Sequence, residues 1–169
     1  MDDSTRLEIA RGQIVAARQY TESLLADIDT SDWFRQPAEV ATHIAWHVGH
    51  LAMAQYGLVL FRQRGRQTED TELMSSRFRK QFSKGSQPDS VVENNPSVEE
   101  IQAVFTGVYR QAMEELEQYP LEQLDDAVDK PYAAYPTKYG ALLFCAHHEM
   151  LHAGQIGLLR RLLGKSPVR

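Results

Sequence analysis

The chain has 169 residues, 43% of them hydrophobic and 24% charged, with a formal net charge of -5, values that fit one globular domain over 1–169 and neither a disordered nor a fibrous chain. The acidic balance excludes nucleic acid as a partner, because affinity for a phosphate backbone comes from lysine and arginine displacing counterions. No window is apolar enough to span a membrane, the start Met1-Asp2-Asp3-Ser4 carries no basic and apolar leader, and the single cysteine excludes an internal disulfide, so a cytoplasmic protein is expected.

In the first segment Leu7, Ala10, Ile14, Ala17, Leu24 and Ile28 recur in threes and fours, with Thr21 in the one polar slot. That spacing predicts a helix with one buried seam, capped among Asp3, Ser4 and Thr5 and ended by Asp29-Thr30-Ser31-Asp32. After Gln36-Pro37 a second helix is predicted from about Thr42 to about Arg64, its seam reading His43, His47, His50, Ala54, Gly57 and Phe61, flanked by Ile44, Val48, Leu51 and Leu58. The stretch from Gly65 to Asn95 mixes charges of both signs and reads as a solvated loop with a short helix around Leu73 to Phe82.

A third helix begins at the capping box Ser97-x-x-Glu100, buries Ile101, Phe105, Val108, Ala112 and Leu116, and closes at Tyr119-Pro120. The connection from Pro120 to Lys138 contains Tyr132-Ala133-Ala134-Tyr135-Pro136 and is expected to roof one end of the molecule. The fourth helix runs from about Tyr139 to Leu163 and stops at Gly164, on the seam Ala141, Cys145, His148, His152, Gln155, Leu159 and Leu162. Cys145 in Leu143-Phe144-Cys145-Ala146 reads as a small buried hydrophobe. With no period-two stretch, the fold class is all-α. A short first connection and a long helix 2 to helix 3 crossover predict an up-down-down-up four-helix bundle.

All six histidines fall in two clusters, His43, His47 and His50 on the second helix and His147, His148 and His152 on the fourth. At 100° per residue the first three share one stripe within about 60°, and His148 and His152 share another, while His147 points about 100° away. Buried imidazoles without partners are costly, and a metal ion relieves that cost by taking one lone pair from each of three rings. His148-Glu149-Met150-Leu151-His152 matches the HExxH pattern of zinc proteases, but residues 153–169 hold no Asp, Glu or His. A third ligand must come from upstream, where His43, His47 and His50 are all candidates. The second helix has no acid between Glu39 and Glu69, which argues against a two-iron carboxylate centre. Three imidazoles with an open fourth position suit one divalent ion, zinc or nickel.

His43-Ile44-Ala45-Trp46-His47-Val48-Gly49-His50-Leu51, His148-Glu149-Met150-Leu151-His152-Ala153-Gly154-Gln155-Ile156 and Arg160-Arg161-Leu162-Leu163-Gly164 together resemble the DinB-like family over most of the chain. That resemblance implies a three-histidine metal site at His50, His148 and His152. His43 and His47 would then contact substrate, orient a ligand or pack, and Trp46 and Gly154-Gln155 would serve packing and close helix approach.

Members with known activities include thiol S-transferases that use bacillithiol or mycothiol and a related isomerase, and many others have no assigned reaction. The expected function is therefore a divalent-metal-binding DinB-like protein of unassigned reaction. One alternative is a metal-dependent thiol S-transferase acting on a small thiol and an electrophile, and a further one is a metal-dependent hydrolase with Glu149 as base. Homodimerisation is also expected.

Overall fold

The computed structural model describes residues 1–129 and 135–168. Helix α1 (Asp3–Leu25) is capped by Asp2, whose carboxylate accepts from the Thr5 amide at 2.8 Å, one residue earlier than the candidate caps. Ala10, Ile14, Ala17 and Leu24 are buried as the spacing requires, Ile28 is buried just beyond the helix end, and Thr21 satisfies its hydroxyl on the Ala17 carbonyl at 3.1 Å. Helix α2 covers 44–64 and consists of Ile44–Gln55, a wide π-type turn over Tyr56–Phe61, and Arg62–Arg64.

Downstream come two short helices, α3 (Asp70–Leu73) and α4 (Ser76–Gln81), then α5 (Val98–Glu117) and α6 (Lys138–Leu162). Ser97 and Thr137 cap the last two by accepting from Glu100 and Gly140 amides. Gly164, at φ 83°, ends α6 with the Lys165 amide returned to the Arg160 carbonyl at 2.9 Å. Among the described residues there is no strand, only one bridge between Ala127 and Thr137. No helix among them is long and apolar enough to cross a membrane.

Helix α1 lies along α6, and α2 lies along α5 and also meets α6. The expected seam of α5 is buried throughout. Two seams differ from expectation. On α2 the core is formed by the flanking residues Ile44, Val48, Leu51 and Leu58 with Ala45, Ala52, Val59 and Leu60, whereas Phe61 is 46% exposed. The π turn is the cause, because one extra residue per turn rotates everything after it by roughly 100°. Its displaced carbonyls are satisfied by side chains, Gly57 by Arg62 Nη1 at 2.9 Å and Leu58 by Gln63 Nε2 at 2.8 Å. On α6 the core face is Leu142, Cys145, Ala146, Glu149, Ala153, Ile156 and Arg160, and Gln155 is exposed. Cys145 is buried as expected, and burial pushes its thiol pKa up.

The crossover from Gly65 to Asn95 is less solvated than its composition suggested. Met74, Phe78 and Phe82 are buried, and the carboxylate of Asp70 accepts from Arg64, from the Tyr56 hydroxyl at 2.8 Å and from the Gln67 amide at 2.9 Å. Burial by itself would raise the Asp70 pKa, but these donors bring it down to about 2. Arg64 also bonds Glu115 at 2.7 Å, fastening the crossover to α5. In the second connection, Leu124 is buried and its carbonyl accepts from the Tyr139 amide at 2.9 Å. Most of the expected roof, Tyr132-Ala133-Ala134, lies outside the described residues.

One side chain joins the four long helices. Arg18 of α1 is buried and donates from Nε to Glu149 of α6 at 2.9 Å, from Nη2 to Gln55 of α2 at 2.8 Å and from Nη1 to the Phe105 carbonyl of α5 at 3.1 Å. Its guanidinium lies 3.5 Å over the Phe105 ring and 4.6 Å over Tyr109. Removing one member of a buried pair strands the other charge, at a cost of about 3–5 kcal/mol. Arg18→Leu should therefore lower stability by that order in denaturant titration, and Arg18→Leu with Glu149→Leu should recover most of the loss. A double variant no more stable than the single one would refute this account.

Candidate metal centre

The first turn of α2 is set by a histidine cap. His43 precedes the helix in extended conformation, its Nδ1 accepts from the Trp46 amide at 3.2 Å, and its Nε2–H donates to the Asp89 carbonyl at 3.0 Å. Both ring nitrogens are thus engaged, and His43 is removed from the ligand candidates because it lies outside the helix whose stripe it was expected to share. His147 is exposed on α6, away from the other rings.

The remaining four histidines gather where α2 meets α6. His50, His148 and His152 each bring a ring nitrogen within 4.8 Å of the other two. Their ring centroids are 4.6–5.2 Å apart. A tetrahedral ion with metal–nitrogen bonds near 2.0–2.1 Å needs ligand nitrogens roughly 3.3 Å apart, which small ring rotations from this arrangement supply. His47 sits behind the group, with its Nδ1 2.8 Å from His152 Nδ1 and its Nε2 3.1 Å from the Thr42 hydroxyl.

Hydrogen bonds already fix the rings. His50 Nδ1–H donates to the Phe82 carbonyl at 2.7 Å, which leaves Nε2 as its ligand atom. If His152 likewise offers Nε2, its Nδ1 carries the proton and donates to His47 Nδ1, and His47 Nε2–H donates to Thr42. This is the outer-shell arrangement that sets the tautomer and orientation of metal-binding imidazoles. Trp46 stacks on His50 at 4.8 Å with the planes 10° apart, meets His47 edge-on, and donates from Nε1 to Ser86 at 3.0 Å.

Burial lowers the pKa of all of these rings, as it does that of His43. His47 and His148 fall to about 4 and His152 to about 2, the neighbouring imidazoles adding to the desolvation, while His50 shifts in the same direction. The rings are consequently neutral at pH 7 with lone pairs available, the state that metal binding requires. A cleft of about 540 Å³ opens beside His50 and His148, over Met53, Gly57, Leu58 and Phe144. Ala54 and Gly57, expected on the core seam of α2, line this cleft instead.

Glu149, by contrast, faces the core and is held by Arg18, not by the histidines. Gly154 and Gln155 are exposed, and a Cβ on Gly154 would meet nothing within 4 Å, so close helix approach does not occur there. It occurs at Gly49, where a Cβ would come within 2.5 Å of the Phe82 ring. Phe82 therefore supports the site twice, by its carbonyl on His50 and by its ring against Gly49. Sequence reasoning missed it. The available signal was a glycine in mid-helix between His47 and His50, which marks a close approach.

The sequence matches the DinB superfamily over residues 13–156. A solved crystal structure, described as that of the conserved protein of a locus from Enterococcus faecalis, superposes with a TM-score of 0.71 at 18% identity, covering 94% of this chain and 97% of that one, and so shares its fold. No curated protein matches the sequence.

The lowered histidine pKa values link folding to pH. An unfolded imidazole titrates near 6.5, so between that pH and about 4 the unfolded chain binds more protons than the folded one. Stability is full above pH 6.5 and is lost as pH falls through 4. Melting temperatures of metal-free protein should decline steadily from pH 7 to 4.5, and His152→Asn should flatten the slope. An unchanged melting temperature over this range would contradict the assignment.

Proposed function

The chain belongs to the DinB superfamily, and from that premise we propose that it binds one divalent metal ion, zinc or nickel, through His50, His148 and His152. The observation that carries this reading is the convergence of three neutral imidazoles from two helices, with two of them held through Nδ1 by Phe82 and His47. An ion held by three imidazoles supplies Lewis acidity and lowers the pKa of a group that coordinates it. The cleft beside two of the ligands supports a site that admits a small molecule, since structural zinc sites are closed by four protein ligands.

The same reading takes the four long helices as an up-down-down-up bundle. It is supported by contacts that run in the same order along α1 and α6: Arg6 on Tyr139, Arg18 on Glu149, and Arg160 on the Leu24 carbonyl and Asp27. Along α2 and α5 the order is likewise shared, with Gln55 and Phe105 meeting at Arg18, Arg64 on Glu115 and Gln63 on Tyr119.

Metal analysis of protein purified without an affinity tag tests the site. About one equivalent of zinc or nickel should accompany the wild type and His147→Ala, and be lost from His50→Ala, His148→Ala and His152→Ala. His47→Phe should keep the stoichiometry and weaken affinity roughly 10–100-fold, the usual effect of losing an outer-shell partner. Full metal content in the His148 and His152 variants would overturn the assignment.

A second reading, a metal-dependent thiol S-transferase, is favoured by the same cleft. Metal-loaded protein should join a small thiol to monochlorobimane faster than metal-stripped protein, and equal rates would exclude it. The hydrolase reading loses its base, because the Glu149 carboxylate is buried against Arg18.

A further inference from the structure

We infer that the cleft beside His50 and His148 is a binding site for a small amphipathic anion, its apolar body lying over Met53 and Phe144 and its carboxylate or phosphate meeting Arg62 and Lys84. The donor end of such a ligand, at the histidines, rests on the metal reading above. The anionic end does not.

Three features of the cleft point to this ligand. Its volume of about 540 Å³ falls within the range of small-molecule sites, and its walls are mostly apolar, with Met53, Leu58 and Phe144 among them. Charged lining is confined to one sign: Arg62 and Lys84 line it, and none of its described lining residues is acidic, in a chain with 23 acidic and 18 basic residues. Arg62 is also placed by the fold, because its Nη1 donates to the Gly57 carbonyl at 2.9 Å, one of the carbonyls displaced by the π turn. A guanidinium so held is pre-oriented, and a planar fork of donors matches a carboxylate or phosphate. Lys84 arrives from the crossover, two residues after Phe82, so the segment that orients His50 also delivers a cation to the cleft. A charged group bound between these cations and an apolar wall would be partly dehydrated, which strengthens the ion pairs relative to open solvent.

Calorimetric titration of metal-stripped protein with octanoate, octyl phosphate, 1-octanol and octylamine tests the proposal without depending on metal. Octanoate or octyl phosphate should bind about tenfold or more tightly than 1-octanol, weaken as ionic strength rises from low salt, and exceed octylamine by more. The tighter of the two anions tells a carboxylate from a phosphate ligand. Lys84→Gln should weaken the anions several-fold, and Arg62→Gln with Lys84→Gln about tenfold or more, with 1-octanol unchanged. Ala54→Phe, which fills the cleft, should abolish binding of all of them. Because Arg62 supports the π turn, Lys84→Gln serves as the variant at an exposed position. Equal affinity for octanoate and 1-octanol, equal loss of both in the charge variants, or unaltered binding to Ala54→Phe would overturn the proposal. Loss of metal binding with retained anion selectivity would sink the metal reading and leave this one standing.

Discussion

The buried guanidinium of Arg18 is the constraint around which the rest is arranged. A charge removed from water must be met on every side, and Arg18 is met by one group from each of the other three long helices: Gln55, the Phe105 carbonyl and Glu149. Each of these groups has one rotation and one height at which it can reach the guanidinium. Meeting Arg18 therefore fixes the helices against one another in both respects, which apolar packing alone specifies less sharply.

The consequence for the candidate centre runs through Glu149. Turning Glu149 into the core leaves His148 and His152 on the adjoining strip of α6, at the edge of the core, where they meet α2. There they face His50, because the helix 2 histidines sit on the cleft side of α2 and not on its core side. The crossover completes the arrangement by bringing Phe82 under Gly49 and its carbonyl to His50. Four imidazoles are thereby collected in a place shielded enough to keep them neutral yet open to a cleft, and two of them have their proton positions set by fixed partners.

Much of this was legible from residue order. Apolar positions in threes and fours, the caps and the terminal glycine marked four long helices because those signals act within a single turn. Two histidine pairs at helical spacing implied two ligand-bearing stripes, for the same reason. The resemblance to the DinB-like family selected His50 from three candidates, and the structure brings His50, and not His43, to His148 and His152. His43 was misjudged because its role depends on where the helix begins, a shift of two residues that turns a stripe position into a cap. The α2 seam was misjudged because the π turn and its side-chain caps leave no local mark that periodicity can read.

The sequence by itself determined the helices, the two histidine stripes and the absence of acids that a two-iron centre would need, since these follow from backbone periodicity and side-chain inventory. Only the tertiary structure decided that Glu149 serves Arg18 and not a metal, that the crossover reaches back to orient His50, and that the cleft is apolar with cations at its margin. Those outcomes depend on pairings between residues 32 to 131 positions apart. Such pairings are set by which buried charge and which ring must be satisfied once the helices meet.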